Sequence, residues 1–294
     1  MYNYTILDSD ALLAAQIEQW HAQHIGSLAV DFEGEFNLHI YGEHLCLIQI
    51  FDRSSYFLID PFSVSPVMLK QFLEDPLLEK VMFDCTSDAA LVRKQYGITL
   101  KPVHDVRVSA QLLGFNGNLS ALVARCLNLP AVTGKKGKQV ANWLRRPVQE
   151  KLIEYALSDV EHLFTIRDIL EQELKTANLW EKGEEIQRTV SLPKGRDKKG
   201  WEKLQGYKYL TKEQRIYVKW FFEARDILAR KLNKPAFQVL DKHALIAMAK
   251  RVPEDATAFR KVVSHKSRSI EDDLVALLMV ARDGAMDELQ TNLK

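Results

Sequence analysis

Apolar residues follow two different patterns along the chain, and the change between them divides its 294 residues. In the first half, short apolar runs between polar or turn-forming segments predict strands at residues 28–33, 45–51, 56–60 and 80–83. Capping residues and apolar spacing predict helices at residues 10–21, 66–73, 87–96, 106–113, 119–127 and 147–174. The first three strands have short links that suit antiparallel neighbours. This order indicates an α/β domain with a mixed sheet.

The second half of the chain shows helical periodicity alone. It follows residues 189–206, a stretch rich in Lys, Gly and Arg that is typical of a linker. Helices are predicted at residues 212–232, 240–250 and 270–289, with apolar side chains recurring every three or four positions. We therefore expect two domains, an α/β domain at residues 1–190 and an all-α helical bundle at residues 200–294.

Composition narrows the class of protein. The chain is 47% hydrophobic and 27% charged, as in a globular protein with a sizeable core. No apolar run approaches the roughly 20 residues of a membrane span, and the N-terminal sequence lacks the features of a signal peptide. The three cysteines, Cys46, Cys85 and Cys126, are too widely spaced for a disulfide framework or a zinc site. We expect a cytoplasmic protein with no membrane partner.

Charge separates the two halves more sharply than hydropathy does. Residues 1–190 contain 18 Lys and Arg against 25 Asp and Glu, whereas residues 191–294 contain 22 against 14. The net charge of +1 conceals this asymmetry. A basic half joined to an acidic one suggests that the second domain binds a polyanion, although many basic faces are only solvated surface.

Two carboxylates stand at the end of the first predicted strand. Asp31 and Glu33 are two positions apart, so their side chains leave the same face of the strand. The apolar run before them predicts a buried strand, where acidic groups are rare unless they are paired or bind a cation. The alternative is a strand end that turns into solvent, and the pair alone does not decide between them.

Further along the chain, two more motifs carry acids. Asp88 lies in the first turn of a predicted helix, where it either complements the helix dipole or joins a site. Tyr155 and Asp159 are four residues apart and share one helix face. Taken singly, each motif also fits a structural role, Tyr155 as a core aromatic and Asp159 as a surface acid.

The three motifs together, in this order, resemble the exonuclease motifs of the DEDD superfamily in its tyrosine-containing branch. The surrounding segments resemble ribonuclease D and its relatives over residues 5–175. These segments are CLIQIF at residues 46–51, FLIDP at 57–61, Asp105 before a helix, and NWLRRP at 142–147. Departures from the family pattern include Phe32 and Glu35 beside the first carboxylates, Phe83 in place of a common His, and a lysine-rich segment at residues 134–138.

The second half resembles an HRDC domain, the helical module found in ribonuclease D and RecQ helicases. The resemblance rests on YVKWFFEAR at residues 217–225, NKP at 233–235 and the apolar run at 240–249. Together the two resemblances imply a ribonuclease H-like exonuclease domain followed by an HRDC-like, nucleic-acid-binding bundle.

The resemblance also implies a chemistry. Asp31, Glu33, Asp88 and Asp159 would bind two divalent cations, Mg²⁺ or Mn²⁺, which prefer hard oxygen ligands. Tyr155 would orient the attacking water, since a phenol with a pKa of about 10 stays protonated at neutral pH. We expect a 3′→5′ exoribonuclease that trims RNA 3′ ends, such as those of tRNA precursors, and releases nucleoside 5′-monophosphates. The alternatives are a DNA 3′→5′ exonuclease and a weakly catalytic nucleic-acid-binding protein.

Several residues near these motifs are candidates for substrate contacts. Two aromatic residues could stack on a base or ribose, although core positions are commoner for residues of this type. A basic cluster before the Tyr155 helix could hold phosphates, and a solvated lysine-rich loop explains it equally well. The aromatic candidates are Phe32 and Phe83, and the basic ones are Lys135, Lys136, Lys138, Arg145 and Arg146.

Overall fold

The computed structural model describes residues 2–130, 137, 141–196, 198–263 and 267–291. The chain divides into two compact units. Unit 1 comprises Met1–Glu35 and Glu43–Pro193, and unit 2 comprises Phe36–Gly42 and Lys194–Lys294. Among the described residues, no helix has the length and apolar character that crossing a membrane requires.

Unit 1 is built on one mixed sheet, in the strand order β1-β4-β3-β2-β5-β6. β1 pairs parallel with β4, β4 antiparallel with β3, and β5 parallel with both β2 and β6. The predicted mixed α/β sheet is therefore confirmed. The strands are β1 (Tyr4–Leu7), β2 (Ser27–Phe36), β3 (Glu43–Phe51), β4 (Tyr56–Ile59), β5 (Glu79–Met82) and β6 (Val103–Asp105).

The central strand β2 separates two apolar layers. Leu28, Val30 and Phe32 belong to a large core on one side of the sheet, whereas Ala29 packs into a cluster on the other side. Successive side chains of a strand point to opposite faces, so Asp31 and Glu33 share the face of Ala29. That face is the one covered by the late helices of the unit. The alternation of β2 thus decides which layer receives the acidic pair.

The helices of unit 1 begin at the capping residues that the sequence suggested. Ser9 accepts a hydrogen bond from the amide of Leu12, and Ser65 accepts one from the amide of Met68. The helices are α1 (Asp10–Ala22), α2 (Pro66–Leu73), α3 (Thr86–Tyr96), α4 (Val106–Leu112), α5 (Leu119–Leu127), α6 (Glu150–Val160), α7 (Leu163–Thr176) and α8 (Trp180–Gln187).

The single long helix predicted at residues 147–174 is wrong. The structure has two helices there, α6 and α7, separated by Glu161 and His162. Neither Gly nor Pro marks the break in the sequence, but Glu161 accepts a hydrogen bond of 2.5 Å from the hydroxyl of Tyr2. A contact between residues 159 positions apart has no local sequence signal.

Unit 2 is helical, as predicted. Its two longest helices are α9 (Lys212–Lys231) and α13 (Arg268–Thr291). The other described α-helices are α10 (Ala236–Val239), α11 (Lys242–Lys250) and α12 (Ala256–Val262). α9 begins with a capping box in which the side chains of Thr211 and Gln214 each accept a backbone hydrogen bond. Phe221 is fully buried and meets Phe259 edge-on at 5.8 Å, so aromatic packing joins α9 to α12.

Part of the predicted linker is ordered structure in unit 2. Two 3₁₀ turns, Gly200–Lys203 and Tyr207–Tyr209, precede α9. The ring of Trp201 meets Phe222 of α9 edge-on at 5.9 Å. A Cβ atom on Gly200 would lie 2.4 Å from the same Phe222 ring, so glycine permits this close approach.

Candidate active site

The acidic pair of β2 meets an acid from helix α6. One carboxylate oxygen from each of Asp31, Glu33 and Asp159 lies within 4.8 Å of the others. Glu33 is buried, whereas Asp31 and Asp159 are partly exposed. Three hard oxygen donors gathered at a partly open position form an arrangement suited to a divalent cation. The structure therefore brings together residues that are 128 positions apart in the sequence, and their role as metal ligands stays a prediction.

Asp88 adds a fourth acid from the first turn of α3. Burial raises the pKa of the Asp88 carboxyl well above its ordinary value, and the negative charge of Asp31 raises it further. Smaller contributions come from Asp84 and Asp105. Asp88 is therefore near enough to Asp31 for their charges to interact, although the three acids gathered within 4.8 Å are Asp31, Glu33 and Asp159. The same repulsion favours occupation of the site by a cation.

Asp105 holds the turn that presents Asp88. Its buried carboxylate accepts three backbone hydrogen bonds of 2.9 Å, from the amides of Asp84, Cys85 and Arg107. Asp84 has a left-handed backbone with φ of 61°, a conformation that needs such support in a residue other than glycine. Burial raises the pKa of Asp105, while these hydrogen bonds act in the opposite direction. The resemblance marked Asp105, but its position in the turn emerges from the structure.

Gln49 is a polar residue of the site that the sequence reasoning missed. Its side chain is fully buried on β3, and its Nε2 donates a 2.6 Å hydrogen bond to Oδ2 of Asp31. Its Oε1 is buried without a hydrogen-bond partner in the structure. One amide inside the apolar run CLIQIF was the available signal, since buried polar side chains are usually engaged.

Tyr155 projects from α6 one turn before Asp159 and is 5% exposed. Burial raises the pKa of its hydroxyl above the ordinary value of 10, and the charges of Asp159, Glu33 and Asp31 raise it further. A hydrogen bond to Asp159 has the same effect. The phenol is therefore neutral throughout the physiological range and acts as a hydrogen-bond donor beside the carboxylates.

The candidate substrate contacts have different surroundings. Phe32 is 7% exposed within the main core, while Phe83 is partly buried below the guanidinium of Arg107, at 5.9 Å. Arg146 forms an ion pair with Asp60, with Nε to Oδ2 at 2.6 Å, and donates to the carbonyl of Trp143. Arg145 is exposed, and Lys135, Lys136 and Lys138 lie outside the described residues. Contacts of all these residues with nucleic acid stay a prediction.

Comparison with known proteins assigns both parts of the chain. A family model described as "3′-5′ exonuclease" matches residues 4–175, and one described as "HRDC domain" matches residues 219–280. Ribonuclease D of Pseudomonas paraeruginosa is 27% identical over 270 residues, which is 90% of this chain and 70% of that protein. An exosome complex component 10 homolog of Caenorhabditis elegans is 23% identical over 99% of this chain, which spans 34% of its length.

Solved structures share the fold. Ribonuclease D of Escherichia coli, described as an exoribonuclease involved in structured RNA processing, superposes with a TM-score of 0.75 at 22% identity. The match covers 95% of this chain and 75% of that one. The catalytic core of RRP6 from Trypanosoma brucei gives 0.73 at 22% identity, covering 98% and 81%. The predicted ribonuclease H-like fold and HRDC region are confirmed, and the chain belongs to the 3′-5′ exonuclease family, with a ribonuclease D-like organisation.

Proposed function

We propose that this exonuclease is a metal-dependent 3′→5′ exoribonuclease that removes nucleoside 5′-monophosphates from RNA 3′ ends. The observation that carries the proposal is the approach of Asp31, Glu33 and Asp159 to within 4.8 Å of one another. RNA as the substrate is supported by the relatives, several of which are ribonuclease D enzymes. Trimming of tRNA or other structured RNA is the biological role that we propose.

The residues present fit two divalent cations. Asp31, Glu33, Asp88 and Asp159 supply only carboxylate oxygens, the ligand type that Mg²⁺ and Mn²⁺ prefer. Gln49 orients the Asp31 carboxylate by donating a hydrogen bond to one of its oxygens. Residues that contact metal ligands without binding the metal typically have this role. Burial raises the pKa of Asp88 and the charge of Asp31 raises it further, and a bound cation would relieve the repulsion between these two acids.

When bound, two such ions activate water for attack on a phosphodiester and stabilise the departing 3′-oxygen. The four carboxylates would hold the ions, and Asp105 keeps the turn before Asp88 in place through three backbone hydrogen bonds. Tyr155 keeps its proton and points its hydroxyl toward the acids, where it orients the attacking water. It does not serve as the base, because burial and the neighbouring charges keep the phenol neutral.

The organisation of the chain suggests a division of labour. We propose residues 1–190 as the catalytic domain and residues 200–294 as a domain that binds nucleic acid. The basic balance of the second half supports this role. The three cysteines are free thiols, in keeping with a reducing compartment, and we propose the cytoplasm as the site of action.

The test compares RNA and DNA oligonucleotides with a single-stranded 3′ tail. Each is incubated with the protein in Mg²⁺, in Mn²⁺ and in EDTA, and the products are resolved by length. We expect laddering of RNA from the 3′ end that requires metal and disappears in Asp31→Asn. Asp168→Asn is the matched control, because Asp168 is an exposed acid paired with Arg53.

Each outcome bears on one part of the proposal. Equal digestion of DNA and RNA would remove RNA as the preferred substrate. Digestion by Asp31→Asn at the wild-type rate would show that the metal-site assignment is wrong. Loss of activity in Asp168→Asn as well would mean that any change of surface charge disturbs the enzyme.

A further inference from the structure

A basic and aromatic segment lies between the two parts of the chain that match family models. Residues 194–215 contain eight Lys and Arg against three Asp and Glu, together with Trp201, Tyr207 and Tyr209. The exonuclease model ends at residue 175 and the HRDC model begins at residue 219. The segment therefore lies outside both family models.

This segment is anchored to the core of unit 2. Leu210 is buried with Val218 of α9, and Trp201, Leu204 and Tyr207 pack against the same cluster. The amide of Tyr209 donates to the carbonyl of Gly206, which closes the second 3₁₀ turn. An aromatic residue carried here stands on an ordered backbone, so less conformational entropy is lost when it binds than for a residue on an unstructured segment.

Tyr209 is the aromatic residue of this segment that points away from the core. Its side chain is 76% exposed, and the ammonium of Lys208 lies 4.8 Å from its ring centroid. Arg215 packs over the neighbouring Tyr207 ring at 5.3 Å and donates to the carbonyl of Lys208 at 3.1 Å. The exposed Tyr209 ring thus has one cation beside it and a second on the neighbouring ring.

Apart from Arg196, the cations of this segment form no ion pair with the described residues of unit 2. The described part of residues 194–215 contains a single ion pair, between Arg196 and Glu202 at 2.7 Å. Lys208 and Lys212 are exposed and form no ion pair with described residues. An exposed ring with an unpaired ammonium beside it, and further unpaired cations on the same short segment, is poorly suited to an apolar partner. It matches a ligand that offers both a π-face and repeated negative charge.

We propose that Lys208, Tyr209, Lys212 and Arg215, here the Tyr209 platform, bind single-stranded nucleic acid. One base stacks on the Tyr209 ring, and the cations contact adjacent phosphates. A single strand is required because the bases of a duplex are already stacked on each other. This inference rests on the proposed function and deepens it, since it names a contact for the substrate outside the candidate active site.

The test measures binding of fluorescent oligouridine to the full chain carrying Asp31→Asn, which prevents digestion. Adding Tyr209→Ala should weaken binding about tenfold, and Tyr209→Phe should retain it, because stacking needs the ring and not the hydroxyl. Lys208→Ala should lower the slope of log Kd against log salt by about 0.7, the contribution of one phosphate contact. Binding of a blunt duplex should not change with Tyr209→Ala.

Phe237→Ala is the matched control, because Phe237 is 56% exposed in the same unit and lies outside the platform. Unchanged binding with Tyr209→Ala would overturn the proposal, as would an equal loss with Phe237→Ala or an equal loss of duplex binding. Failure of the proposed function looks different, because wild-type protein would then digest no oligonucleotide while binding remained measurable.

Discussion

The two units differ in where their polar and charged side chains lie. Among the described residues, unit 1 contains all but one of the buried polar or charged side chains, including Glu33, Gln49, Lys80 and Asp105. Unit 2 contains one, Arg225. In unit 2 the cations lie mainly at the surface, and many of its carboxylates form exposed ion pairs.

The difference agrees with the proposed separation of chemistry in unit 1 from nucleic-acid binding in unit 2. Burial shifts the pKa values of Lys80 and Asp105 in unit 1, and shifted pKa values are typical of reactive sites. Exposed cations keep their ordinary charge and attract a polyanion with little discrimination. A protein that shortens nucleic acid from one end needs both properties, and here each is concentrated in a different unit. Substitutions of buried polar groups in unit 1 should therefore alter rates, metal binding or pH dependence without altering nucleic-acid affinity.

The largest effect that we expect from this comparison is that of Tyr155→Phe. Removing one positioned hydrogen-bond donor should lower kcat about a hundredfold. The Kd for single-stranded RNA should stay unchanged. The pH-rate profile should keep its shape between about pH 7 and 9, because the raised pKa already keeps Tyr155 protonated there. Steady-state kinetics and fluorescence anisotropy measure these quantities.

Tyr56→Phe is the control for Tyr155→Phe. It removes a hydroxyl from a partly buried tyrosine that stacks on Phe51 at 4.5 Å, and it should leave kcat unchanged. A pH-rate profile that loses an ionisation in Tyr155→Phe would instead identify Tyr155 as a base. A matching rise in Kd would show that unit 1 also contributes to binding.

A smaller effect is expected from Gln49→Leu, which removes the donor behind Asp31. The Mn²⁺ concentration for half-maximal activity should rise about tenfold, and calorimetric titration with Mn²⁺ alone should show the same weakening. Stability without metal should not fall, because Leu also removes the unpartnered Oε1 atom. A loss of stability without a change in Mn²⁺ affinity would show that Gln49 contributes to packing and not to metal binding.

The last prediction concerns stability and Lys80, a buried cation of unit 1. Its ammonium donates to the carbonyls of Asp75 and Lys101, and burial lowers its pKa from 10.5 to about 7. Between these values the unfolded chain binds more protons, so stability should increase as pH rises from about 7 to about 10. Lys80→Met should flatten this dependence in urea unfolding, whereas Lys208→Met, at an exposed lysine, should preserve it.

Much of this organisation could be predicted from local sequence patterns, although some elements could not. The apolar runs around Asp31 and Gln49 marked β2 and β3, and capping by Ser9 and Ser65 marked two helices. The edge strands β1 and β6 were missed, because strands of four and three residues depend on distant partners. β1 pairs with β4 and β6 pairs with β5, and both pairings join segments that are distant in the sequence.

The candidate site shows the same limit. The order of the motifs, through the family resemblance, identified Asp31, Glu33, Asp88, Tyr155 and Asp159 as candidates. Side chains alternate along β2, which explains why its two acids share a face. The hydrogen bond from Gln49 and the backbone contacts of Asp105 depend on distances between chain segments. Spacing along one strand or helix carries no information about such contacts.

The close approach of Gly200 to Phe222 has a consequence for mutational tolerance. Any larger residue at position 200 would place its Cβ against the Phe222 ring, so that either the ring or the turn that leads to Tyr209 would have to shift. The absence of a side chain at this position therefore leaves room for the Phe222 ring beside the turn. Among homologues, this position should vary less than the exposed lysines around it, although it carries neither charge nor hydrogen-bonding side chain.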